Sequence, residues 1–165
     1  MFKEDFKATQ KRFALIKPYI EKDICSKIIS VEGQGELEKM LDIYAGIDYL
    51  ALSENGLRGI SSRIQTGKNW HTFTIRKEKS TGNKTEYEKR VKGISSGYIY
   101  PYYTLQAYLD TATIDYAICR TEDLYRFIKD NPTKVGQNKT TNAQFLIVDW
   151  RYLNPICRRK LILKR

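Results

Sequence analysis

Asn55-Gly56 lies between two strand-like runs, Ile47 to Leu52 and Leu57 to Gln65, and no other feature narrows the possible folds as much. Both residues tolerate positive φ, so the dipeptide predicts a tight hairpin and two antiparallel neighbours in one sheet. A third alternating run, His71 to Lys77, follows a turn at Thr66 to Asn69. Thr72, Thr74 and Arg76 would share one face of it, and His71, Phe73 and Ile75 the other. Helical segments bracket these strands. Glu36 to Asp42 reads as a short helix ended by Gly46. Thr85 suits the N-cap of a helix over Glu86 to Lys92, with glutamates early and cations late along the dipole, and Gly93 is expected to stop it.

Outside this segment, residues 2–30 read as helical on a stripe of Phe2, Phe6, Phe13 and Ile16, with Pro18 placed to open a second helix. Tyr98 to Tyr103 reads as extended, with Leu105 to Leu109 continuing it or making a helical turn. Ile114 to Arg120 reads as a strand, and Thr121-Glu122-Asp123 would cap a helix over Leu124 to Lys129. Residues 133–142 are polar without an apolar period and read as a loop. Phe145 to Val148 is a buried-type strand, and residues 151–165 read as a basic tail. The expected fold is α/β (α+β): a mixed central sheet with an αβββαβ core flanked by helices. It forms a single domain with its core at about residues 36–120.

The net charge of +10 over 165 residues is a cost in self-repulsion that a polyanionic partner would relieve, nucleic acid first and an anionic membrane second. Arg76, Lys77, Lys79, Lys84, Lys89, Arg90 and Lys92 concentrate this charge between the third strand and the following helix. Trp70, Tyr87, Tyr98, Tyr100, Tyr102 and Tyr103 flank them, and Tyr100 is the aromatic singled out for base contact. Cations for phosphates beside flat rings for bases are the components of a nucleic-acid groove. Cys25, Cys119 and Cys157 are too far apart for zinc spacing, and His71 is the lone histidine, expected in a strand rather than as a base. The thiols read as small apolar residues in a reducing compartment. With acids at Glu4 and Asp5 and no run near 20 apolar residues, the chain reads as soluble and cytoplasmic. Catalytic triads, Walker loops and dinucleotide fingerprints are not matched.

Asp48 in Gly46-Ile47-Asp48-Tyr49, placed before the hairpin in an α-β-β-β-α-β order, resembles the first aspartate of the PD-(D/E)xK nucleases. The resemblance covers about residues 36–120 and implies a divalent metal, Mg²⁺ or Mn²⁺, held by Asp48 and a second carboxylate beside a lysine on the next strand. Here that strand reads Ser61-Ser62-Arg63-Ile64-Gln65, so Ser61 stands where the acid belongs and Arg63 where the lysine does. Ser61, Arg63 and Gln65 alternate onto one face, and Gln65 offers a carbonyl oxygen to a metal. Glu36 or Glu38, or Glu86 or Glu88, could bring the missing acid from a helix. The resemblance thus implies a metal-dependent phosphodiesterase with Asp48, Arg63, Gln65 and Glu86 at its site. The alternative is a non-catalytic phage or mobile-element protein that binds and inhibits a host nucleic-acid defence complex.

Overall fold

The hairpin forms, with its turn one residue earlier than expected. In the computed structural model, which describes residues 2–31, 35–77 and 85–163 and the side chains from residue 7 onward, strands β2 (Tyr49–Ser53) and β3 (Gly56–Thr66) pair antiparallel. Ser53 lies opposite Gly56, Glu54 and Asn55 make the corner, and the positive φ falls on Gly56 at 103°. Strand β1 (Lys27–Ser30) extends the sheet beyond β2, a segment expected to be helical. Its β-branched pair Ile28-Ile29 suits an edge strand, and Glu21 accepts the Ile28 N–H at 2.9 Å.

One helix, α1 (Phe2–Asp23), runs through Pro18 where two were expected. An interior proline costs about 3 kcal/mol. Phe13, Ile16 and Ile20 are all buried against the sheet, and each apolar side chain contributes roughly 1.5–3 kcal/mol, so packing outweighs the break.

After β2 and β3 come β4 (Thr72–Arg76), α3 (Glu86–Ser96), β5 (Tyr103–Leu109) and β6 (Thr113–Arg120), so the chain order expected of the core is present. The spatial order differs. The main sheet runs β1-β2-β3-β5-β6 and closes with β9 (Cys157–Ile162), and its only parallel pair among the described residues is β3 with β5. β4 leaves this sheet and joins β7 (Lys134–Gln137) and β8 (Gln144–Asp149) in a second one, ordered β4-β8-β7. Phe73 and Ile75 of β4 lie opposite Val148 and Leu146, apolar partners some seventy residues away. Two expectations fall here. The polar stretch 133–142 contains β7, an edge strand largely in solvent and so without an apolar period. The basic tail contains β9, which alternates: Arg159 forks onto Asp23 at 2.6 and 2.9 Å, while Arg158 and Lys160 take the other face.

Side chains of β5 and β6 alternate between two cores. Leu105, Ala107, Ile114, Tyr116 and Ile118 pack toward α1. Tyr108, Ala117 and Cys119 pack toward the small sheet and α4 (Thr121–Asp130), around a fully buried Trp150. The molecule is therefore layered, α1 on one face of the main sheet and the small sheet with α3 and α4 on the other. No helix among the described residues is long and apolar enough to cross a membrane.

Helix α2 (Glu36–Met40) passes into a π-helical turn, Leu41–Ala45, which Gly46 ends in the left-handed region at φ 63°. Gly93 does not stop α3; Gly97 does, at φ 70°. Gly93 instead lets the chain cross the helix, because a Cβ there would sit 2.9 Å from that of Tyr100. A Cβ on Gly46 would meet Arg90 Nη1 and Nη2 at 2.6 and 2.7 Å. Gly46→Ala thus combines left-handed strain with displacement of a buried guanidinium, and is expected to cost about 1–3 kcal/mol in urea unfolding. A variant as stable as the parent would show that neither the turn nor Arg90 is held as described.

Candidate functional site

Asp48 stands just before β2 on the sheet face away from α1, and its N–H bonds the Ile60 carbonyl at 2.9 Å. Its Oδ2 accepts the Ser62 N–H at 2.6 Å. Arg63, on the same face, donates from Nη2 to Glu86 Oε2 at 2.6 Å. Glu86 begins α3 and also accepts the Arg76 N–H at 3.2 Å. Asp48, Arg63 and Glu86, which the sequence spreads over 39 positions, therefore line one pocket of about 240 Å³ together with Asp42, Arg76, Lys89 and Arg90.

Gln65 lies outside that pocket. Its Oε1 accepts from Gln106 Nε2 at 3.3 Å, and it lines a separate cavity with Arg12, Lys68 and Trp70. It is still tied to Arg63 through the buried Gln106, whose Oε1 accepts from Thr74 Oγ1 at 3.1 Å, while Arg63 Nη1 reaches Thr74 at 3.5 Å. Glu88 serves the helix instead of the pocket: Thr85 and Glu88 form a reciprocal capping box. Glu36 and Glu38 sit at the start of α2 outside the pocket, and Asp42, one turn on, supplies the acid from that side.

Four cationic side chains meet three carboxyl groups here, and two of the cations differ sharply in role. Arg90 is buried and donates to the carbonyls of Ala45 and Gly46, so it holds the π-helical turn against α3. Arg76 is half-buried, and among the described residues its Nε has no hydrogen-bond partner. Arg76 and Arg63 both lie over the Phe145 ring, at 5.7 and 5.4 Å. Burial lowers the pKa of Arg76, and Arg63 beside it acts in the same direction against Glu86. Burial likewise pushes the Asp48 carboxyl up to about 7, opposed by the Ser62 N–H and reinforced by Asp42. Burial thus favours the neutral form of Asp48 in the pocket that holds Arg76, whose Nε has no partner among the described residues.

Two of the three carboxyl groups that line the pocket are already engaged by donors of the chain. Glu86 is engaged by Arg63 and by the Arg76 backbone, and Asp48 by Ser62. No three His, Cys, Asp or Glu among the described residues come together as metal ligands.

Of the expected groove, Lys77 is exposed at the end of β4, Lys92 is exposed on α3 and Lys89 is half-buried beside it. Lys79 and Lys84 lie outside the described residues. Tyr100 is no open platform: its ring packs on Gly93, and its hydroxyl donates to Glu122 at 2.5 Å, with burial and that bond pushing its pKa up to about 12. Tyr87 stacks on Tyr125 within the second core. The aromatic residues left open near α3 are Tyr98 and, unforeseen in the sequence, Tyr44. His71 is not in a strand; it turns at φ 51° just before β4, and its Nε2 meets Asp115 Oδ2 at 3.1 Å. Phe145, Thr74 and Gln106 were also unforeseen, since strand residues of these types carry no local signal of a site.

No family model matches the chain, and neither a curated protein nor a solved structure is significantly similar to it.

The Asp48 shift fixes a sign. A carboxyl with a raised folded pKa stabilises the fold fully below its unfolded value, near 3.8, and that contribution is lost as pH rises through about 7. Asp48→Asn removes the titration. Between pH 5 and pH 8 the variant is expected to gain roughly 2–3 kcal/mol relative to the parent in denaturant titrations. Parallel pH curves for the two proteins would mean that Asp48 ionises as an ordinary surface acid.

Proposed function

We propose that this protein binds nucleic acid, that the Arg63–Arg76 pocket takes a backbone phosphate, and that binding rather than strand cleavage is its activity. The observation that carries this reading is the half-buried Arg76 guanidinium, unpartnered at Nε among the described residues and stacked beside Arg63 on Phe145. A cation in this position is stabilised by an anion that can accept several N–H bonds at once, and a phosphate does so with a guanidinium fork. Asp48 favours the same ligand, because a carboxyl with a pKa of about 7 is largely uncharged once an anion sits beside it. The overall charge of +10 supports a polyanion over a small phosphate ester, through long-range attraction and counterion release.

The engaged carboxylates of Asp48 and Glu86 support use of the site without metal. Anisotropy titrations of labelled DNA and RNA across a salt series test the reading. Affinity is expected to fall steeply with salt, and Arg76→Gln to weaken binding about tenfold and reduce the salt slope by about one. Incubation with Mn²⁺ or EDTA provides the opposing outcome. Metal-dependent cleavage that disappears in Asp48→Ala would replace binding with phosphodiester hydrolysis as the activity.

A further inference from the structure

A cavity of about 430 Å³ forms a cleft between the α2–π turn and α3, and it adjoins the phosphate pocket. Lys89 lines both, and the floor passes from Ala45 in the cleft to Gly46 in the pocket, so one residue step separates them. The walls are apolar and open: Met40, Tyr44, Tyr98 and Ile99 face the cleft, with Tyr44 73% and Tyr98 60% exposed. So much apolar surface in one place marks a contact site rather than scattered exposure.

The charge of the rim says which kind of contact. Lys92 places its ammonium 5.2 Å from the Tyr98 ring centre, and Lys89 stands on the side shared with the pocket. Lys89 donates an N–H to the Ile43 carbonyl, which holds its side chain on that rim. Flat rings between cations, continuous with a guanidinium pocket, suit a ligand that alternates aromatic faces with anionic linkages.

We infer that the cleft holds unpaired bases of a single strand, stacked on Tyr44 and Tyr98, while the neighbouring phosphate sits on Arg63 and Arg76. This rests on the nucleic-acid reading above and goes beyond it by naming the form bound. A duplex keeps its base faces stacked inside and cannot bring them to this cleft, so the protein discriminates single strands from duplex by base exposure rather than by sequence.

The test compares three labelled ligands of equal length and equal ionic strength in anisotropy titrations: an oligothymidylate, an abasic strand with the same phosphates, and a duplex. The full-length protein is expected to bind oligothymidylate about tenfold or more tighter than the abasic strand and the duplex. Tyr98→Ala and Tyr44→Ala, both on exposed side chains, should reduce that ratio toward one, and Tyr98→Phe should preserve it, since stacking needs the ring and not the hydroxyl. Equal, salt-dependent affinity for all three ligands would overturn the single-strand inference and leave phosphate binding standing. A preference that survives both alanine variants would place base contact elsewhere, leaving the cleft to a partner such as an amphipathic protein helix, and would also overturn it. Absence of salt-dependent binding to any of the three would remove the nucleic-acid reading itself and this inference with it.

Discussion

The buried Arg90 guanidinium is the interaction on which the organisation of the site depends. It reaches from α3 to the carbonyls of Ala45 and Gly46, the end of the π-helical turn, where main-chain acceptors have no helical partner. Leaving those acceptors and that charge unpaired in the interior would cost several times an ordinary hydrogen bond. Because they are paired, the turn, Asp48 three residues beyond it and the first turns of α3 are held together. Phosphate pocket and cleft are the two sides of this unit.

The second determinant is the polar chain that crosses the main sheet from Glu86 through Arg63, Thr74 and Gln106 to Gln65. Gln106 is buried, and so these groups must satisfy one another. The chain spans β3, β4 and β5, and it fixes the small sheet against the large one at the point where β4 departs. That departure brings Phe145 of β8 alongside Arg63 and Arg76. Had β4 stayed in the main sheet, as an αβββαβ order suggests, its Arg76 would lack this platform.

Features that depend on a few consecutive residues were legible in the sequence. The hairpin near Asn55-Gly56, the Thr85 N-cap and the Gly46 stop all follow from local φ preferences and local side-chain acceptors. The shared face of Ser61, Arg63 and Gln65 follows from the two-residue repeat of a strand. So does the division of β4 into a face with Phe73 and Ile75 and one with Thr72, Thr74 and Arg76. The short α2 helix and the strands β3, β6 and β8 were visible for similar reasons. What misled was chemistry that looks alike in two settings. The alternating cations of residues 157–162 pass for a solvated tail, and they are a strand because Arg159 finds Asp23 and Arg158 finds Trp150. Gly93 passes for a helix stop, and it is a crossing point for Tyr100.

By itself, then, the sequence determined an α/β chain with a large positive charge, an early hairpin, and Asp48, Arg63 and Glu86 within one segment. Those properties reside in single residues and short-range spacing. Only the tertiary structure decided that β4 pairs with β8, that Glu86 answers Arg63 while Arg76 keeps an unpartnered Nε among the described residues, and that Gln65 stands apart. It also raised the Asp48 pKa by burial and opened Tyr44 and Tyr98 on a common cleft. Each of these is settled by which distant group lies beside a buried position in the folded chain. Desolvation and pairing depend on neighbours in space, and the order of residues along the chain does not name them.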